Sequence, residues 1–347
     1  MQKVRLPADE PAAPADPEAG TAALVRQHLA RTDVPTSKGQ AALDTADRYA
    51  GNAHAHATKR AYRADWAHFG DWCQAHGFIA MPAEPRTIGA YLASLGDTHA
   101  PNTIRRRLSA IGKAHQYNSL DWNAGHRDIQ EPLRGALREH GRPPKQAAAL
   151  TLALLQRLLE TCDLSPGGRR DRAMLLIGFA AALRRSELVG LKVSDITATH
   201  DGLEIRLGRS KTDQDGKGAS IGLPRGEHRR TCPVRALQEW QQVAKRSAGP
   251  LFRPIRKGGH IGTAALTPSA VTRIVTRRAA LAGVVLDGRE QLSAHALRVG
   301  FITEAYAKGV RDEDIMRHTR HRDLRTMRGY VRRAGLISDS PAKRLGL

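Results

Sequence analysis

Tyr330 stands inside TRHRDLRTMRGYVRR (319–333), a stretch that also holds six arginines. A solvated basic helix would account for the arginines but not for the phenol. Leu324, Met327 and Val331 predict a buried stripe, with Asp323 as the N-cap and Tyr330 at the border of the stripe. His321 then lies just before that helix, nine residues ahead of Tyr330. Upstream, HALRVG places His295 and Arg298 at i and i+3 on one helical face, where the pair could donate several hydrogen bonds to one anion. In AALRRSELVGL (181–191), Arg184 falls where an apolar helix must stop and another begin. Ser186 is the expected cap of the new helix, with Glu187 in its first turn. An arginine anchored in this way can be aimed at a phosphate. Lys211, in the turn-rich GRSKTDQDGKG, could be carried by a mobile hairpin to a leaving oxygen. Each residue also has a plainer reading: a tyrosine closing a core edge, a common HxxR, a local ion pair, a solvated lysine.

The elements that must position these groups follow from hydrophobic period. From 41 to 140 the pattern is helical: Tyr62, Trp66, Phe69 and Cys73 recur at helical spacing, with Thr58 as a candidate N-cap. PNTIRRRLSAIGKAH places Ile104, Leu108 and Ile111 on one face and leaves Arg105, Arg106 and Lys113 for phosphate or groove contact, or for solvent alone. Pro143 and Pro144 break helices, so 141–150 reads as a linker. The second half, 151–347, starts helical through AMLLIGFAAAL. It changes period at Leu203, Ile205 and Leu207, an alternating strand that ASIGLP can partner, and then returns to helices. The expected fold is therefore mainly α: an all-helical N-terminal domain, then an α+β domain carrying a small antiparallel sheet.

Charge narrows the function. The 347 residues carry a net charge of +21, which points first to nucleic acid and only second to an acidic membrane surface. No apolar run reaches the roughly 18 residues that a spanning helix requires. Residues 1–40 hold five of the eighteen prolines and as many acidic as basic residues, so they read as a mostly disordered arm without an apolar leader segment, and the positive charge lies beyond them. Cys73, Cys162 and Cys232 are scattered and odd in number, as in a reducing compartment. His318 and His321 form an HxxH with no companions at ligand spacing, a weak case for a metal.

Taken in order, Arg184, Lys211, His295-x-x-Arg298, His321 and Tyr330 resemble the tyrosine recombinase (phage integrase) family over about residues 42–347. GDWCQAHGFIAMPAEP and NTIRRRLSAIGKAH are similar to the N-terminal domain of its Cre-like group, and HALRVG and IMRHTRH to the catalytic domain. The resemblance implies a core-binding domain and a catalytic domain that clamp double-stranded DNA at a specific recombination site. It implies a homotetramer on two duplexes, of a mobile element, with room for accessory DNA-bending proteins. The setting would be cytoplasmic and nucleoid-associated, without membrane. By residue, it makes Tyr330 the nucleophile of a 3′-phosphotyrosine link and His295 the acceptor of its proton. Arg184, Arg298 and His321 become donors to the phosphate, Glu187 the support of Arg184, and Lys211 the acid for the 5′-oxygen. Neither metal, ATP nor any other cofactor is expected.

Two positions depart from the pattern: Arg320 stands where relatives usually carry glycine before the last histidine, and Arg185 where many carry an apolar residue. A glycine serving a tight turn would leave Arg320 either displacing His321 or adding a phosphate contact. The alternatives are a type IB-like nicking-closing enzyme and a catalytically silent DNA-binding regulator.

Overall fold

A computed structural model describes residues 35–52, 56–141, 146–208, 218–286, 290–334 and 345. The chain divides into two compact units, Met1–His140 and Gly141–Leu347. The expected disordered arm lies outside the described residues up to 34. Its end does not conform: helix α1 (Ser37–Asn52) begins within it.

The rest of the first unit is helical: α2 (His56–His76), α3 (Pro85–Ala93), α4 (Pro101–Tyr117) and α5 (Arg127–His140). Pro85 and Pro101 each open their helix at the first turn, where a missing N–H costs nothing. Helix α2 packs on α4, and α3 on α5. The expected stripes meet in the core, where Phe69, Cys73, Ile104 and Ile111 are buried together with Ile88, Tyr91 and Leu92. Thr58 does not cap α2; it lies inside a helix that is already running at His56.

In the second unit, strand β1 (Gln146–Ala147) pairs in parallel with β5 (Glu290–Gln291). Helices α6 (Leu152–Glu160), α7 (Pro166–Ala180) and α8 (Arg185–Gly190) follow β1. The sheet has the order β2 (Ile196–Ala198), β3 (Gly202–Leu207), β4 (Ala219–Pro224), all antiparallel. Leu203, Ile205 and Leu207 point inward as expected, and Ile205 faces Ile221 across the hairpin. The turn bearing Lys211 lies outside the described residues. Helices α9 (Pro233–Ala244), α10 (Pro268–Leu281), α11 (His295–Ala307), α12 (Asp312–Thr319) and α13 (Leu324–Ala334) complete the unit. The core gathers Met174–Ile177 with Leu237, Trp240, Phe252, Val271 and Leu297.

Part of the expected linker belongs to this unit. Ala148 and Leu150 are buried in its core, and the Leu150 N–H donates to Ala296 O at 3.2 Å. Gly300 permits that approach, because a Cβ there would lie 2.0 Å from Leu150 O. Glu304 accepts from the Leu152 N–H at 2.8 Å. Helix α11 is thereby pinned along its length, which fixes the side chains it presents. Among the described residues, no helix is long and apolar enough to cross a membrane.

Candidate active site

Two sharp helix endings build the site. Helix α7 stops at Ala180. Ala182 takes a left-handed conformation (φ 46°), and the Leu183 N–H closes back on Gly178 O at 3.1 Å. Helix α12 ends in the same way, with Arg320 left-handed at φ 59° and the His321 N–H on Met316 O at 3.1 Å. Glycine adopts this conformation freely, whereas a side chain there costs on the order of 1–2 kcal/mol. That is the physical reason for expecting glycine at 320. Both strained residues turn their carbonyls to site arginines: Ala182 O accepts from Arg298 Nη1 at 2.7 Å, and Arg320 O from Arg184 Nη2 at 3.4 Å.

Arg184 itself is the residue preceding α8, so Ser186 is not the cap. The carboxylate of Glu187 closes the helix start instead, accepting the Arg184 N–H on Oε2 (2.8 Å) and the Arg184 guanidinium on Oε1 (2.8 Å). Arg320 Nη2 adds a third donor, at 2.9 Å from Oε2. Burial pushes the Glu187 carboxyl up, but Arg320, the Arg184 N–H and the Arg184 guanidinium outweigh it and hold the group below the usual carboxylate range. Arg320 therefore does not displace His321, and its guanidinium is spent on Glu187 and nearby carbonyls.

Helix α11 delivers His295 and Arg298. Arg298 is 1% exposed, and among the described residues no carboxylate bonds to it. Burial, then Arg184 and Arg320, bring its pKa down to about 9, still charged at neutral pH. Its Nη2 lies 3.1 Å from His321 Nε2 and 3.3 Å from Nδ1. Thr319 Oγ1 donates its proton to Ile315 O (2.6 Å) and lies 2.7 Å from His321 Nδ1. The hydroxyl has only one proton, so Nδ1 carries the hydrogen, and the near-equal distances to the two ring nitrogens place the Arg298 nitrogen over the face of the ring. A second proton on that ring would face a guanidinium. Burial, followed by Arg298 and Arg184, accordingly lowers the His321 pKa to about 3.

Helix α13 brings in Tyr330. Asp323 caps it as expected, its carboxylate accepting the Thr326 N–H at 3.0 Å. Met327 is fully buried against Ile302 and Ile315, with Tyr330 partly buried at the edge of that cluster. Leu324, expected in the stripe, is 37% exposed because it opens the helix beside its cap. The Tyr330 hydroxyl lies 3.0 Å from His295 Nε2. Burial, Arg298 and Arg184 all lower the His295 pKa, so at neutral pH the ring is uncharged and can accept a proton.

The structure thus brings Arg184, Glu187, His295, Arg298, His321 and Tyr330 together. Three guanidiniums against one carboxylate, beside neutral histidines, leave two positive charges. Such a pocket suits a phosphate whose oxygens gain charge during reaction. His318 faces elsewhere, stacked on Phe301 and bonded to Ala180 O at 2.8 Å. Sequence reasoning missed Thr319, which fixes the His321 tautomer; its position two residues earlier was the available signal.

In the first unit, Arg105 is exposed on α4, and Lys113 reaches Gln116 at 3.1 Å. Arg106 is not free: Asp65 accepts from its Nε and Nη2 at 2.7 and 2.9 Å. Arg107, missed from sequence, is buried beneath it against Tyr91 and His68.

The chain is similar to known proteins in sequence and in fold. Residues 149–335 match the phage integrase family. An integrase/recombinase xerD homolog of Selenomonas ruminantium is 36% identical over 296 residues, covering 83% of this chain and 85% of the relative. Recombinase cre of Escherichia phage P1 is 26% identical over 286 residues, covering 75% and 79%. Cre is thus a relative, but the xerD homolog is more similar. A lambda integrase tetramer bound to a Holliday junction shares the fold, with a TM-score of 0.55 at 16% identity, covering 91% of this chain and 81% of that one. The chain belongs to the phage integrase family, the tyrosine recombinases.

Proposed function

We propose that this protein is a site-specific DNA recombinase that cuts and rejoins strands through Tyr330. The observation that carries the reading is the Tyr330 hydroxyl, 3.0 Å from a neutral His295 and beside a buried Arg298 that, among the described residues, no carboxylate bonds. At that distance the ring can take the proton of an attacking phenol, and Tyr330, unlike the fully buried Tyr91 beside His68, lies at the edge of its cluster.

The Tyr330 oxygen attacks the phosphorus of a phosphodiester while its proton passes to His295 Nε2. The bond to the 5′-oxygen breaks, leaving a 3′-phosphotyrosine and a 5′-hydroxyl. Lys211 is the proposed donor of the proton to that oxygen. Arg184 and Arg298 hold the non-bridging oxygens, and losing one such donor typically costs about 100- to 1,000-fold in rate. When a phosphate enters, it competes with His321 for Arg298 and raises the basicity of the His321 ring, freeing it to act as a further donor. The phosphotyrosine conserves the bond energy, so a 5′-hydroxyl from a second duplex can reverse the step without ATP.

Exchange between duplexes needs several active sites at once. A homotetramer on two recombination sites meets that need; the lambda integrase neighbour is a tetramer bound to a Holliday junction. The core-binding role falls to the first unit, with Arg105 and Lys113 on DNA phosphates and Arg106 joining once it leaves Asp65. The second unit is the catalytic domain. The protein would work in the cytoplasm, on nucleoid DNA of a mobile element.

The test is a nicked duplex carrying the recombination site, which traps the covalent adduct on a denaturing gel. Wild-type protein should form it; Tyr330→Phe should bind DNA but form none. An undiminished adduct from that variant would remove Tyr330 from the mechanism. A silent regulator would give no wild-type adduct. A nicking-closing enzyme would relax supercoiled plasmid regardless of site.

A further inference from the structure

Arg320 is held in a conformation that disfavours any side chain, and it is largely buried, with its side chain 14% exposed. Its Nε has no hydrogen-bond partner. Such a residue persists where the surroundings over-determine it, and such positions cluster at functional sites. What surrounds Arg320 is the support of Arg184. Arg320 Nη2 holds Glu187 Oε2 at 2.9 Å, while the Arg184 guanidinium takes Oε1 at 2.8 Å. Arg320 Nη1 is tied to His318 O at 3.1 Å, and the backbone carbonyl of Arg320 receives Arg184 Nη2 at 3.4 Å.

Two consequences follow. Arg184 already engages both Glu187 oxygens, and Arg320 adds a second donor on Oε2 that ties the carboxylate to the end of α12 and tightens the plane it offers the Arg184 guanidinium. The charge balance also depends on Arg320. Glu187 and Arg184 alone would cancel, leaving Arg298 as the single uncompensated cation among the described residues of the pocket. With Arg320 present, the pocket keeps a second one.

We propose that Arg320 is a positioning residue for strand cleavage: through Glu187 it fixes Arg184 against the scissile phosphate and preserves the second positive charge of the pocket. The proposal rests on the reading of Tyr330 as the nucleophile.

The experiment is single-turnover adduct formation at saturating nicked duplex, with thermal melting and DNA affinity measured in parallel. Arg320→Gly relieves the left-handed strain, so it should melt at or above the wild-type temperature and bind DNA within about threefold of wild type. Its cleavage rate should nevertheless fall about tenfold, the order of one charge-assisted hydrogen bond. Arg320→Lys keeps the charge and should return the rate to within about threefold of wild type. In a Glu187→Gln background, Arg320→Gly should change the rate by less than about twofold, because the link is already cut. Wild-type cleavage by Arg320→Gly overturns the proposal, as does a tenfold loss that persists undiminished in the Glu187→Gln background. Failure of Arg320→Gly to fold would assign the residue to structure alone and also overturn it. Wild-type protein that forms no adduct would instead overturn the reading of Tyr330.

Discussion

Asp171 and Glu187 lie in the same unit, and each gathers arginines, yet the two clusters differ in what remains unspent. Asp171 is fully buried. Its Oδ1 accepts from Arg170 Nε and Nη2 at 3.0 and 2.7 Å, and its Oδ2 from Arg277 and Arg278. The remaining Nη1 donors of Arg170 and Arg278 reach the carbonyls of Arg253 and Thr161. This knot ties α7 to α10 and, among the described residues, turns no donor toward a hydroxyl or an imidazole. At Glu187 the arginines are equally well anchored, but the neighbourhood adds Arg298, two neutral histidines and the Tyr330 hydroxyl. An ion pair of buried arginine and carboxylate is therefore no mark of a site in this protein. What sets Glu187 apart is an uncompensated guanidinium beside a neutral imidazole and a phenol, the pair proposed above as base and nucleophile.

The sharpest way to break that contrast is to exchange the losses. Arg298→Ala should slow adduct formation about 100- to 1,000-fold in single-turnover assays at saturating DNA; a loss under tenfold would place Arg298 outside the reacting centre. Asp171→Asn should do the reverse. It leaves buried Arg170 and Arg278 without their counter-charge, a change that typically costs about 3–5 kcal/mol of stability, visible as a lower urea midpoint. The fraction still folded should cleave at nearly the wild-type rate, and a selective loss of cleavage would blur the distinction.

A smaller effect separates the clusters by pH. His295, His318 and His321 all have folded pKa values below the ordinary 6.5, that of His321 near 3. As pH falls, the unfolded chain takes up these protons first. Stability is therefore complete above about pH 6.5 and is lost progressively below it. Glu187, held below its ordinary value, extends the loss at lower pH. Urea midpoints should drop between pH 7.5 and 5, and His321→Asn should flatten that drop. An unchanged slope in the variant would contradict the assignment of a buried neutral ring.

Much of this was legible in the sequence because it depends on residue type and local spacing. His295-x-x-Arg298 needs only a helix to share a face, and the alternation of Leu203, Ile205 and Leu207 needs only a strand. Asp323 signals its own cap. What was hidden depends on distant partners or on backbone conformation. Arg106 was left for phosphate, groove or solvent contact, and nothing local announces its bidentate partner Asp65, 41 residues away. Arg320 reads as one more arginine until its left-handed backbone and its bond to Glu187, 133 residues earlier, are seen. The β1–β5 pair is two residues long on each side, too short for any period to announce it. Ser186 had the right chemistry for a cap, but Glu187 reaches back to Arg184 and starts the helix two residues sooner.

The central claim is that the Tyr330 oxygen takes the phosphate. Digestion of the trapped adduct with nuclease and protease, followed by mass mapping of the peptides, tests it most directly. The account predicts a nucleotide joined by its 3′-phosphate to Tyr330 and to no other residue. A nucleotide on another side chain, or one attached through a 5′-phosphate, would contradict it.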